Sequence, residues 1–158
     1  MAFEARQSLS NDQAGLVNHR RYYNVSLDSQ AASLTRDYIF DLGRRSRLTG
    51  VWLGLDAVGV GGVGLDVDVL AAGVSLLSTL ARIAPTAAAE SLAKVGGSVA
   101  TGVTHPVIAA ANLIAAADKV KISVISGVFT TAPTGVYATI EITEETDFDP
   151  AAAAAVIG

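Results

Sequence analysis

The chain has 158 residues, no cysteine and a net charge of −4, and 51% of its residues are hydrophobic. That length suits one domain, able to bury roughly 70% of the surface its unfolded chain exposes, so a core needs neither disulfide nor metal. Disulfide scaffolds, thiolate zinc sites and cysteine nucleophiles are excluded, no apolar run reaches the ~18 residues of a membrane helix, and the acidic balance is a poor match for nucleic acid.

Residues 1–21 are polar and without a clean period, and read as an N-terminal arm. The opening "MAFEARQSLSNDQ" has no apolar signal-peptide core, so a soluble chain is expected. Ordered structure is expected from Tyr22. "YYNVSL" alternates, with Tyr23, Val25 and Leu27 on one side, and "DYIFDL" (37–42) is a second short strand. In "LTGVWLGLDAV", Val51, Leu53 and Leu55 share a face and Trp52 points the other way.

The stretch "GVGGVG" (59–64) has the G-x-G-x-x-G spacing of a dinucleotide-binding turn. That turn must open a helix whose N-terminus holds the pyrophosphate. Here "LDVDVLA" follows, alternating with period 2, and no acidic residue ends a second strand about 20 positions on. The glycines therefore read as a turn between two strands, and no nucleotide cofactor is expected.

"VSLLSTLA" is a further strand candidate. "TAAAESLAKVGG" (86–97) has a capping threonine, helix formers and terminating glycines, and predicts one short helix. "VTHPVIAAANLIAAAD" suits an irregular strand or a helix. "KVKISVIS" and "GVYATIEIT" both alternate, and "TTAPTG" between them carries turn residues, which predicts a hairpin. "EETDFDP" and "AAAAAVIG" read as a C-terminal tail over 147–158. Seven or eight short strands, each with one wet face, predict a mainly β fold: an antiparallel β-sandwich, jelly-roll-like, over 22–146, with one short helix and extended termini.

Chemistry is sparse. His19 lies in the arm and His105 precedes Pro106 in a loop. "GVSLL" lacks the second glycine of a nucleophile elbow, and no G-x-x-x-x-G-K-[ST] run exists. Asp66 and Asp68 share a strand face, a spacing that suits a divalent cation or acid–base work, though a solvated face explains them as well. "EETDFD" lacks the spacing of a calcium loop. Asn24 starts an N-x-S acceptor that means little without an export signal. No catalytic residue, metal or cofactor is expected, and the chain does not read as an enzyme.

The basic residues are unevenly placed. Residues 1–50 hold seven basic and five acidic side chains, against four and ten in 51–158. Arg20 and Arg21 form one cluster and Arg44, Arg45 and Arg47 another. Arginine makes bidentate contacts with carboxylates, so the two clusters predict a docking patch for an acidic protein surface; a charged turn that keeps strands soluble is the alternative.

Four stretches, "YNVSLDSQAASLTRDYIF", "RLTGVWLGLDAVGVGGVGLDVDVLAAGVSLL", "ANLIAAADKVKISVISG" and "APTGVYATIEI", together resemble small virion proteins of tailed bacteriophages: capsid decoration (cement) and head-fibre proteins with a jelly-roll-like β-sandwich. The resemblance implies a chain made in the cytoplasm of a bacterial host that binds the outer surface of the assembled capsid and stabilises it. It implies the major capsid protein as partner and a homo-oligomer, dimer or trimer; the mean hydropathy of +0.44 fits apolar surface covered by neighbours, and fits a merely alanine-rich composition equally well. A head-fibre, tail or baseplate component is the alternative. A carbohydrate-binding β-sandwich module is the second, and would use Tyr22, Tyr23, Trp52 and Tyr137.

Overall fold

The computed structural model describes residues 20–27, 34–98 and 100–145. The predicted C-terminal tail and all but the last two residues of the predicted arm lie outside them. In chain order the strands are β1 (Arg20–Leu27), β2 (Leu34–Asp41), β3 (Ser46–Gly54), β4 (Leu65–Ala71), β5 (Val74–Ser75), β6 (Leu77–Thr79) and β7 (Ala81–Ile83). Then come β8 (Leu92–Lys94), β9 (Val103–Thr104), β10 (Val107–Ile108), β11 (Leu113–Ile114), β12 (Lys119–Ser126) and β13 (Val136–Glu144). The first strand thus begins at Arg20, two residues before the predicted boundary.

Sheet one runs β1-β13-β3, and the far edge of β3 is shared by β11 at its start and β8 at its end. Sheet two runs β2-β12-β4-β7-β9, with β5 folding back on β4. A small ladder joins β6 to β10. Every pairing is antiparallel. The order β1-β13-β3-β8 in one sheet against β2-β12-β4-β7 in the other is that of a jelly roll, the eight-strand sandwich of two Greek keys. The predicted mainly β antiparallel sandwich is what the chain forms.

Alternation explains the core. β4 and β13 bury every second residue along their whole length. Leu65, Val67 and Val69 from β4, Val120, Ile122 and Val124 from β12, and Ile140 and Ile142 from β13 meet in one apolar cluster between the sheets. Each such side chain contributes about 1.5–3 kcal/mol on leaving water. A bulge adjusts β3: Gly50 faces Glu141 and Leu48 faces Ile142, so Thr49 is the extra residue. Leu48 and Val51, three apart, therefore both point inward and are fully buried.

Three expectations are corrected. First, "KVKISVIS" and "GVYATIEIT" are strands but not a hairpin: β12 pairs with β2 and β4, and β13 with β1 and β3. Each has one apolar face, and lying in opposite sheets lets both faces bury in the same core. Second, the glycine-rich stretch after β3 is a sheet-crossing connection, since β3 and β4 also lie in opposite sheets. The two crossings run side by side: Val60 bridges Thr131, Ala57 bridges Thr134, and the Gly127 amide donates to the Gly64 carbonyl at 3.0 Å. Third, residues 86–97 contain no helix. Glu90 has φ +57°, outside any right-handed helix, and Leu92–Lys94 pairs with Trp52–Gly54 of β3 with Ala93 fully buried. An open sheet edge with unpaired backbone groups outweighs the weak helix propensity of a short alanine-rich segment. No helix among the described residues is long and apolar enough to cross a membrane.

Candidate functional site

The antiparallel register gathers the arginines. Arg20 lies opposite Thr143 and Arg21 opposite Ile142, which brings the start of β1 to the end of β13. Ser46 lies opposite Glu144 and Arg47 opposite Thr143, which brings the start of β3 to the same place. Arg44 and Arg45 occupy the short turn that leads into β3. All five predicted docking residues, Arg20, Arg21, Arg44, Arg45 and Arg47, therefore meet at one end of sheet one.

Two glutamates enter this end that the sequence reading did not connect with it. Arg21 Nε contacts Glu144 Oε1 at 2.7 Å, and Arg45 Nε contacts Glu145 Oε2 at 3.2 Å. Arg47 donates to the other Glu145 oxygen and to Asn112 Oδ1, and Asn112 donates to the Leu48 carbonyl. Arg47 and Asn112 thus tie the end of the sandwich together. Arg44 makes no ion pair with a described residue. Among the described residues, five guanidinium groups meet Glu144 and Glu145 here, with Glu141 acting on Arg20 from the adjoining outer face, so basic groups outnumber acidic ones at this end. The side chains of Arg21, Arg45 and Arg47 are 51%, 49% and 43% exposed, so their outward N–H groups stay available to a further anion.

The outer face of sheet one carries the second grouping. Tyr22, Trp52 and Tyr137 project there from β1, β3 and β13. Tyr22 Oη donates to Glu141 Oε2 at 2.7 Å, and Thr49 Oγ1 donates to Glu141 Oε1 at 2.7 Å. The Thr49 bond, then the Tyr22 bond, holds the Glu141 carboxyl below its usual range, and the same contact raises the Tyr22 phenol. Tyr23 has the opposite parity. It is half-buried, packs against the core and touches Phe40, ring centroids 4.6 Å apart. It therefore drops out of the predicted aromatic set.

The other sequence candidates are structurally committed. Asp66 takes a bidentate contact from Arg82 across the β4–β7 ladder, and Asp68 accepts from Ser75 Oγ and from the Val69 amide. The two carboxylates are held by different partners and do not converge on a common point. An open depression of about 300 Å³ beside Asp66 and Arg82, bounded by Thr79, Leu80 and Thr104, brings in no further titratable group. His105 accepts from the Lys94 amide on Nδ1 and faces the Ser98 carbonyl with Nε2, which pins the 94–98 turn. His19 and the residues of "EETDFD" from Thr146 on lie outside the described residues. Among the described residues no three His, Asp or Glu side chains group as a metal site would need.

On the outer face of sheet two, Asp37 accepts from Ser123 Oγ at 2.8 Å and from Lys121 Nζ at 3.2 Å. The Ser123 bond, then Lys121, lowers its carboxyl. Asp37 and Glu141 are both depressed in the fold, so the stability each lends is present above the ordinary carboxylate range of about 4 and is lost as pH falls through the folded value. Thermal melts between pH 7 and 3 should be flat near neutrality and fall on acidification. The double variant Asp37→Asn, Glu141→Gln should show a shallower acid slope; an unchanged slope would refute the assignment.

No protein family matches the chain, and no curated protein matches it.

Proposed function

We propose that this chain is a structural virion protein that binds the outer surface of an assembled capsid and stabilises it, a decoration or cement module without catalytic activity. The observation that carries the reading is the collection of five arginines at one end of an otherwise acidic jelly roll. The architecture fits, since jelly rolls serve as capsid domains, and so does the resemblance of the strand and turn stretches to phage decoration proteins. The arginine end is the docking element, and an acidic surface of the major capsid protein is its partner. Arg21, Arg45 and Arg47 are prepositioned by Glu144 and Glu145, so less side-chain freedom is lost on docking. Stabilisation follows from mass action: a ligand that binds only the assembled lattice favours it by RT ln(1 + [L]/Kd) per site. Association as a dimer or trimer would raise the effective affinity further. The site of action is the capsid surface, after synthesis in the bacterial cytoplasm.

The test is charge reversal at Arg44 and Arg45, which leaves the Arg47–Asn112 tie intact. The variant Arg44→Glu, Arg45→Glu should co-sediment with purified heads at least roughly tenfold more weakly at low salt, and its binding should lose most of its salt dependence. Unchanged affinity at low salt would overturn the docking assignment. Copy number, counted by quantitative mass spectrometry of particles, separates the alternatives. Copies comparable to the major capsid protein fit the lattice reading, and a handful per particle would move the chain to a head fibre, tail or baseplate.

A further inference from the structure

The sequence "GVWLG" places glycines two residues either side of Trp52 on the outer face of β3. The structure uses both. A Cβ at Gly50 would collide with the six-membered ring of the Trp52 indole, and a Cβ at Gly54 would collide with the Tyr137 phenol. Each ring thus lies against bare backbone instead of standing up from the sheet. Gly50 and Gly54 are four residues apart on one strand, so the rings cover about 13 Å along β3. Tyr22, 59% exposed, leans towards Trp52 with ring centroids 6.3 Å apart and planes inclined at 48°, and forms a raised wall at one side.

Polar groups border this strip. Asn24 and Thr139 lie in the same cross-strand row as Trp52, and Lys94 continues the row on its other side. Thr49 and Glu141 lie at the Tyr22 end. Each Glu141 oxygen accepts one side-chain bond here, and a carboxylate oxygen has room for a second.

We infer that this face is a binding site for an extended chain of equatorially linked pyranoses. The chemistry is complementary. A pyranose whose hydroxyls are equatorial has two C–H faces, which are apolar and slightly positive, and aromatic ring faces are electron-rich. Its hydroxyls point sideways, in the plane where Asn24, Thr139, Lys94 and Glu141 stand. Rings laid flat along a strand suit a ribbon-like glycan longer than one sugar, and do not suit a helical α-linked one. The strip adjoins the arginine end at Arg20, but its rings and its test use none of the five arginines, so the inference stands apart from the capsid reading.

Trp52 is the only tryptophan of the chain, so emission excited at the red edge of the tryptophan band, where tyrosine does not absorb, reports this site alone. Titration of the full chain with chitohexaose and with cellohexaose should change Trp52 emission saturably for at least one of them, and maltohexaose should leave it unchanged. Calorimetry with the active sugar should show heat for the native chain, none for Trp52→Ala, and an affinity roughly tenfold weaker for Tyr137→Ala. Thr139→Arg keeps both rings and sets a bulky side chain between them; it should abolish binding in a protein with unchanged melting, which covers the case where Trp52→Ala fails to fold. No response to either β-linked hexaose up to roughly 10 mM, an equal response to maltohexaose, or full binding by Thr139→Arg would each overturn the site. Because the isolated chain is tested without capsids, failure here leaves the capsid reading untouched, and the reverse holds as well.

Discussion

Gly62→Ala should destabilise the fold by about 2–5 kcal/mol, with a fall in melting temperature of roughly 4–20 °C. Two causes add. Gly62 has φ +76°, where an L side chain costs about 1–2 kcal/mol. A Cβ there would also run into the Val128 carbonyl, which is backbone and cannot rotate away. The carbonyl belongs to the neighbouring sheet crossing, so relief requires the two crossings to separate and to give up the bonds joining Val60 to Thr130 and Thr131. Gly73 supplies the control. Its φ is +77°, but nothing lies within 4 Å of its would-be Cβ, so Gly73→Ala should cost the conformational part alone. Chemical denaturation of both variants measures the difference directly. Equal losses would mean that the crossings are not held together as described, and would reopen the question of what the "GVGGVG" glycines are for.

The second large effect contrasts two isoleucines of one strand. Ile122 of β12 is fully buried between the sheets, and Ile125 is 38% exposed on the outer face. Ile122→Ala should cost about 3–4 kcal/mol from lost transfer energy and the cavity left behind. Ile125→Ala should cost about 1 kcal/mol or less, mostly strand propensity. Both substitutions change propensity alike, so the gap between them isolates burial. Equal costs would mean that β12 is not a central strand with one face in the core.

Both contrasts rest on period-2 alternation, and that was the most legible part of the sequence. "VGLDVDVLA", "KVKISVIS" and "GVYATIEIT" display their inward residues directly, because a strand with one wet face must alternate. Alternation says which residues meet a core but not which sheet carries the strand. For that reason β12 and β13 read as a hairpin, although they lie in opposite layers. Strands of two or three residues, such as β5, β9, β10 and β11, are too short to show a period at all. The segment 86–97 misled because local propensity favoured a helix while a distant strand edge demanded a partner. Parity could have removed Tyr23 from the aromatic set, since it falls on the same side as Val25. The arginine clusters were visible as neighbours in sequence. Their meeting at one end, and the part played by Glu144, Glu145 and Asn112, required the register of β1, β13 and β3.

The strand order also has a bearing on how the chain folds as it is made. β13 lies between β1 and β3, and β12 lies between β2 and β4. Both middle strands are synthesised last among the described ones. Arg20 waits for Thr143, more than a hundred residues later, and at about 5–20 residues per second that interval lasts roughly 6 to 25 seconds. Until β12 and β13 emerge from the ribosome, β1 and β2 have no partner among the described strands, and one edge each of β3 and β4 stands open. Pairings this distant in sequence place the fold among slow β topologies, with closure in milliseconds to seconds. Folding therefore waits for the emergence of β12 and β13, two consecutive strands that fill the gaps in the two sheets and are joined by the crossing at residues 127–135.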